Sequence, residues 1–234
     1  MKKDFIVMRH SYDDHSYIDG KNDTSLTENG IEIAKTAAIK IAEEIEEKNV
    51  IIRHSVKKRA LETAEILCDY LLKKGFNCEC VNEPGLTELY QGKFDFSKLT
   101  HEERILFLQS CWDDFEDCRM NGDYRHNFGQ NKDRSIILTP GANHIDWSLK
   151  IADGLLSTIS DMEKNYQSIA IAHRGAIYMI EQLIRYANGL IPLEEIEKYH
   201  TRWMSYCQDY KVEVNDLDNA KKLIKEYKSI RGAK

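Results

Sequence analysis

Apolar residues fall in two rhythms along this chain. Residues 5–8 (Phe-Ile-Val-Met) are an unbroken apolar run, residues 50–53 (Val-Ile-Ile-Arg) a second short, mostly apolar one, and residues 168–172 a third, slightly more polar one. Short runs without alternation predict strands buried on both faces. Between them the period changes. Ile31, Ala34, Ala38, Ile41 and Ile45 recur every three or four positions over residues 30–48, and Ala60, Ala64, Leu67 and Leu71 do the same over 57–74. That spacing predicts two amphipathic helices. Residues 78–81 suit an edge strand. The helical period returns with Ile145, Leu149, Ala152, Leu156 and Ile159, and again over 176–187; residues 205–214 suit a last edge strand and 216–227 a closing helix. Strands alternating with helices predict right-handed crossovers and a mostly parallel sheet, hence a three-layer α/β/α fold.

One stretch breaks the pattern. Residues 92–143 are polar, aromatic and irregular, with a single helix-like piece at 102–115 and turn signals at Asn121-Gly122-Asp123 and Gly129-Gln130-Asn131. No repeat or low-complexity linker divides the chain. The simplest account is one domain over residues 1–234 carrying a lid-like insertion at about 92–143. Its Trp112, Tyr124, His126 and Phe128 suit either stacking on a sugar or base, or a small core of the insertion's own.

Composition narrows the partners. A net charge of −6 over 234 residues argues against general nucleic-acid binding, which needs a basic face. No apolar run is long enough to span a bilayer, and Met1-Lys2-Lys3 leads into too few apolar residues for a signal peptide. The six cysteines match no zinc spacing, and no Asp, His or Cys set has definite metal-ligand spacing, so neither a metal nor another cofactor is expected. The expectation is a cytoplasmic protein with free thiols; self-association as a homo-oligomer stays open.

The candidate chemistry lies where strands end. Arg9-His10 closes the first apolar run, and His173-Arg174 follows the run at 168–172. In an open α/β sheet both would reach the carboxyl edge, where such sheets place ligands. Arg59 opens the second helix and would converge on the same rim. Guanidiniums suit a phosphoryl dianion, and a neutral imidazole is a competent nucleophile toward phosphorus. Arg53-His54 and Arg125-His126 repeat the dipeptide elsewhere; only His54, just before the Arg59 helix, has a claim on the pocket. Glu88 in Leu86-Thr87-Glu88 is a candidate general acid, with Asp13, Asp14 and Asp23 as weaker ones; Asp23 fits better in a turn over residues 20–27.

Four clusters in this order, Arg9-His10-Ser11 with Leu26-Thr27-Glu28-Asn29-Gly30, Ser55-x-x-x-Arg59-Ala60-x-x-Thr63-Ala64, Leu86-x-Glu88-x-x-x-Gly92 and Ala172-His173-Arg174-Gly175, resemble the histidine phosphatase (phosphoglycerate mutase-like) superfamily. The resemblance implies that His10 becomes phosphorylated, that Arg9, Arg59 and His173 hold the phosphoryl group, and that Glu88 is the general acid. It implies a small phosphorylated substrate, inorganic phosphate as product and no metal. The chain departs from the pattern at Ser11, where Gly is usual, and at Arg174, where a small residue is usual; both are substrate-binding candidates. The mutase branch has an Arg where this chain has Leu89, and its paired arginines find no clear match in the insertion. A phosphatase is therefore the expected activity, with a mutase or a non-catalytic phosphate-sensing module as alternatives.

Overall fold

The computed structural model describes residues 3–13, 23–198 and 204–233. The elements run β1 (Lys3–Arg9), α1 (Glu28–Glu44), β2 (Asn49–His54), α2 (Lys58–Lys73), β3 (Asn77–Asn82), β4 (Gly92–Phe94), α3 (His101–Met120), β5 (Ile137–Pro140), α4 (His144–Glu163), β6 (Gln167–Ala172), α5 (Arg174–Ala187), β7 (Asp209–Val214) and α6 (Leu217–Gly232). The main sheet has the order β3-β2-β6-β1-β7. Its first four strands are parallel, and β7 adds an antiparallel edge against β1.

The unbroken apolar runs are explained by two cores. Phe5 and Val7 of β1 and Ala170 and Ala172 of β6 face one side, where α4, α5 and α6 pack with Ile151, Leu155, Leu183 and Ile224. Ile6 and Met8, with Ile169 and Ile171, face the other, against Ala38 and Ile41 of α1 and Ala64 and Leu67 of α2. A strand covered on both faces has no solvent side to spend on polar residues. Truncating a fully buried side chain here, such as Ile151→Ala, is expected to cost about 2–5 kcal/mol.

The start of α1 carries a constraint of its own. Thr27 caps the helix, its hydroxyl accepting from the Gly30 amide at 3.0 Å. Gly30 lies against the chain leaving β1: a Cβ there would stand 2.0 Å from the Tyr12 carbonyl oxygen. Only glycine lets the two backbones approach so closely.

Between Gly92 and Asn143 the structure holds more order than expected. β4 and β5 form a separate two-stranded antiparallel ribbon. α3 runs to Met120, past the predicted end near 115, because its buried stripe of Leu108, Cys111 and Phe115 continues with a charged residue. Arg119 is buried there, donating to Glu116 at 2.6 Å and to the Glu197 carbonyl at 3.3 Å. Phe115, Phe128 and Trp112 meet edge to face, and Phe128 is fully buried. Of the two roles left open for these aromatics, Phe128 takes the core one. Asp14 and residues 20–22 of the expected turn lie outside the described residues. No helix among the described residues is long and apolar enough to cross a membrane.

Candidate active site

Three neighbouring strands end side by side. The register pairs Arg9 of β1 with Ala172 of β6, and His54 of β2 with Ile171 of β6. The next residues, His10, His173 and Ser55, therefore emerge together at the carboxyl edge. The His10 amide donates to the Ala172 carbonyl and the Ser55 amide to that of Ile171, both at 3.0 Å, which extends the ladder into the site. α2 begins three residues beyond Ser55 and delivers Arg59 from its first turn.

Arg59 joins the two histidines. Its Nε donates to His10 Nε2 at 3.1 Å and its Nη2 to His173 Nδ1 at 3.3 Å, and the imidazole centroids are 4.8 Å apart. The proton positions follow from the partners. His10 Nδ1 lies 2.7 Å from the Ser11 carbonyl, which can only accept, so Nδ1 carries the proton and Nε2 keeps its lone pair. His173 presents a lone pair at Nδ1 to the guanidinium, so its proton sits on Nε2, 2.9 Å from Ser55 Oγ. Burial, then the neighbouring His10 and the cations Arg59, Lys57 and Arg9, hold the His173 pKa well below the ordinary imidazole value. Both rings are thus held by the protein in single tautomers, and Arg59 is balanced at 3.9 Å by Asp13, which accepts from Thr24.

Two more cations and the acid stand nearby. The Arg9 guanidinium lies 4.0 Å over the Tyr206 ring, and Nη1 donates to the Met204 carbonyl. Burial lowers its pKa, and Arg174 lowers it further while Glu88 raises it. Arg174, exposed at the first turn of α5, acts electrostatically on both Arg9 and Glu88. Glu88 still reaches the surface, yet desolvation of its crowded carboxyl dominates and pushes its pKa up, against the Leu89 amide and Arg59, Arg174 and Arg9. A Cβ on Gly175 would stand 2.8 Å from Glu88 Oε1 and 3.3 Å from Trp147, so the glycine after His173-Arg174 makes room for the acid. Trp147 Nε1 holds the Thr87 carbonyl at 3.0 Å. Beside Glu88 opens a cleft of about 410 Å³, walled by Thr87, Tyr90, Ala142, Trp147 and Lys150; His10 is not among its walls.

Not every candidate points inward. Ser11 is fully buried with its groups committed elsewhere: Oγ donates to the Gly30 carbonyl at 2.6 Å and its amide to Thr63 Oγ1 at 3.0 Å. Its expected role as a phosphate donor is withdrawn; its carbonyl instead fixes the His10 tautomer. Arg53 is held by Asp161 at 2.6 and 3.0 Å and by Glu83 at 3.3 Å, and His54 donates to the Ser55 carbonyl, so this pair is structural. Asp23 accepts from the Lys58 amide at the start of α2. Three participants were not singled out from sequence. Ser55 opens the Arg59 frame, and its position there was a usable signal; Thr63 and Tyr206 gave none.

A family model described as histidine phosphatase superfamily (branch 1) matches residues 5–223. No curated protein matches the chain significantly. Solved structures do. A mycobacterial glucosyl-3-phosphoglycerate phosphatase is 16% identical with a TM-score of 0.57, covering 91% of each chain. The alpha-ribazole phosphatase from Shigella flexneri is 20% identical with a TM-score of 0.55, covering 92% of each. A protein titled mycobacterial hydrolase 1 is 16% identical with a TM-score of 0.58, covering 89% of this chain and 88% of its own. At such identities the likeness is one of fold.

Proposed function

The chain belongs to the histidine phosphatase superfamily, and from that premise we propose that it hydrolyses small phosphomonoesters through a phosphohistidine on His10, without a metal in the chemistry. The observation that carries this reading is the unprotonated His10 Nε2, fixed by the Ser11 carbonyl and faced by Arg59. A dianionic phosphoryl group entering between Arg59 and the histidines replaces their lone pairs as the partner of the guanidinium. Its charge also favours a proton on His173. Nε2 then attacks phosphorus. The P–O bond to the alcohol breaks, and Glu88, whose pKa desolvation raises, gives a proton to the leaving oxygen. The Glu88 carboxylate next takes a proton from water as that water attacks the phosphohistidine, releasing phosphate.

The cleft beside Glu88 but away from His10 suits the alcohol portion of the substrate. The mutase alternative lacks support, because a mutase must anchor the substrate's other anion. Leu89, the residue after the acid, is packed into the core, and Arg119 is occupied by Glu116 and Glu197. The full set of acid and nucleophile likewise disfavours a purely sensing module, which needs neither. The six cysteines are free, in keeping with a cytoplasmic, reducing setting.

The test is phosphate release from a panel of phosphorylated metabolites in the presence of chelator. The panel includes glucosyl-3-phosphoglycerate and α-ribazole 5′-phosphate, for which two relatives are named, and 2- and 3-phosphoglycerate. Hydrolysis of one or more esters with chelator present supports the reading. Interconversion of the phosphoglycerates with little free phosphate refutes it in favour of a mutase, and tight phosphate binding without turnover refutes it in favour of a sensor.

A further inference from the structure

A cluster in the 92–143 segment has no part in this chemistry. α3 ends in a tight reversal: the Gly122 amide donates to the Arg119 carbonyl at 3.0 Å and the Asp123 amide to that of Cys118 at 2.8 Å, with Gly122 at φ +82°. The chain doubles back on the last turn of the helix, and the His126 amide then donates to the Asp123 carbonyl at 3.4 Å. The result brings a thiol, a carboxylate and an imidazole together: one ligand atom each from Cys118, Asp123 and His126 lies within 4.8 Å of the other two. Tetrahedral zinc bonds of about 2.0–2.3 Å place donor atoms roughly 3.3–3.8 Å apart, so closure takes a small side-chain movement.

A second observation points to a ligand. His126 is only 2% exposed, and its Nε2 is buried with no hydrogen-bond partner among the described residues. Leaving a buried imidazole nitrogen so is unfavourable, and few buried polar atoms in folded proteins stay that way. The surroundings are also right for a cation. The Asp123, Asp114 and Asp117 carboxylates put negative charge around the Cys118 thiol.

We propose that Cys118, Asp123 and His126 form a structural site for a borderline divalent transition-metal ion of the zinc class. A thiolate, an imidazole and a carboxylate, with water as fourth ligand, select zinc or cobalt over magnesium or calcium, which prefer all-oxygen sets. The ion ties the end of α3 to the loop that leads into Phe128, and so to the aromatic core of the segment. Cys118, Asp123 and His126 lie outside the His10 cluster, so the proposal stands whether or not the catalytic reading does.

The experiment uses the full chain, stripped with chelator under reducing conditions and titrated with cobalt(II). One equivalent should bind with a thiolate-to-cobalt charge-transfer band and a tetrahedral visible spectrum, and zinc but not magnesium should displace it. Cys118→Ser should abolish the charge-transfer band while leaving the protein's other activities unchanged. Asp123→Asn and His126→Asn should weaken binding by at least about tenfold. Zinc should raise the melting temperature of the parent chain and not of Cys118→Ser. Absence of a charge-transfer band overturns the proposal. So does a band that survives Cys118→Ser, which would put the ion on the other thiols. Should His126→Asn fail to fold, the Cys118→Ser comparison decides alone.

Discussion

At the residue scale the site is an argument about protons. The Ser11 carbonyl takes the His10 Nδ1 proton and leaves Nε2 free, while Ser55 does the reverse service for His173, accepting from Nε2 so that Nδ1 faces Arg59. Desolvation raises the Glu88 pKa, which suits the proposed general acid. Glu88→Gln keeps the shape and removes the transferable proton. It should slow turnover by roughly 100-fold or more while phosphate binds with nearly unchanged affinity. The loss should be smaller for esters with very good leaving groups, which leave without protonation. Steady-state rates on an alkyl and a nitrophenyl phosphate, with phosphate inhibition constants, check this, and equal losses on both would remove Glu88 from the acid's role. The sequence made His10, His173 and Arg59 legible as candidates because each follows a strand or opens a helix, and Glu88 only through its frame in residues 86–92, since it follows a short 3-10 turn at Pro84–Leu86. It misjudged Ser11, because a hydroxyl beside a candidate nucleophilic histidine reads as a donor. Nothing local reveals that the Gly30 carbonyl, nineteen positions on, already takes its hydrogen.

At the element scale, the same contact ties α1 to the candidate site through its backbone. Gly30 packs its backbone on Tyr12, and the Ser11 hydroxyl is pinned to its carbonyl. Gly30→Ala must push the two segments apart and should cost on the order of 1–3 kcal/mol or more. Because Ser11 moves with it, activity should fall further than the unfolded fraction accounts for. Thr27→Ala removes only the cap and should cost about 1 kcal/mol with the catalytic constant retained. Urea unfolding alongside kcat separates the two variants, and identical behaviour would show that α1 matters only for stability. Elements were legible where period and burial agree, as in β1, α1 and α2. They were not where a buried position is polar. Arg119 truncated the reading of α3 because a charge on an apolar stripe looks like a helix end until Glu116 and Glu197 are seen to bind it. The β4–β5 ribbon is too short to leave a period.

At the scale of the whole molecule, two buried histidines should contribute to the response to acid. Burial and then Arg119 lower the His144 pKa to about 3, and burial holds His173 low as well. The unfolded chain takes up protons on both near pH 6.5, while the folded chain does not. Their contribution to stability is therefore intact above about pH 6.5 and is lost progressively as pH falls toward 3. Melting temperatures from pH 7.5 to 4.5 should decline, His144→Phe should flatten the decline, and added phosphate should flatten it by accepting a protonated His173. An unchanged slope in His144→Phe would contradict the burial argument.

In the proposed mechanism His10 carries the phosphoryl group during turnover. Rapid acid-free denaturation of enzyme mixed with a labelled phosphomonoester, followed by intact-mass and peptide analysis, tests it most directly. The prediction is a single phosphoryl adduct on the peptide holding His10, labile to acid and stable to base, accumulating in Glu88→Gln and missing from His10→Ala. Turnover that persists in His10→Ala, or label found on any other residue, would contradict it.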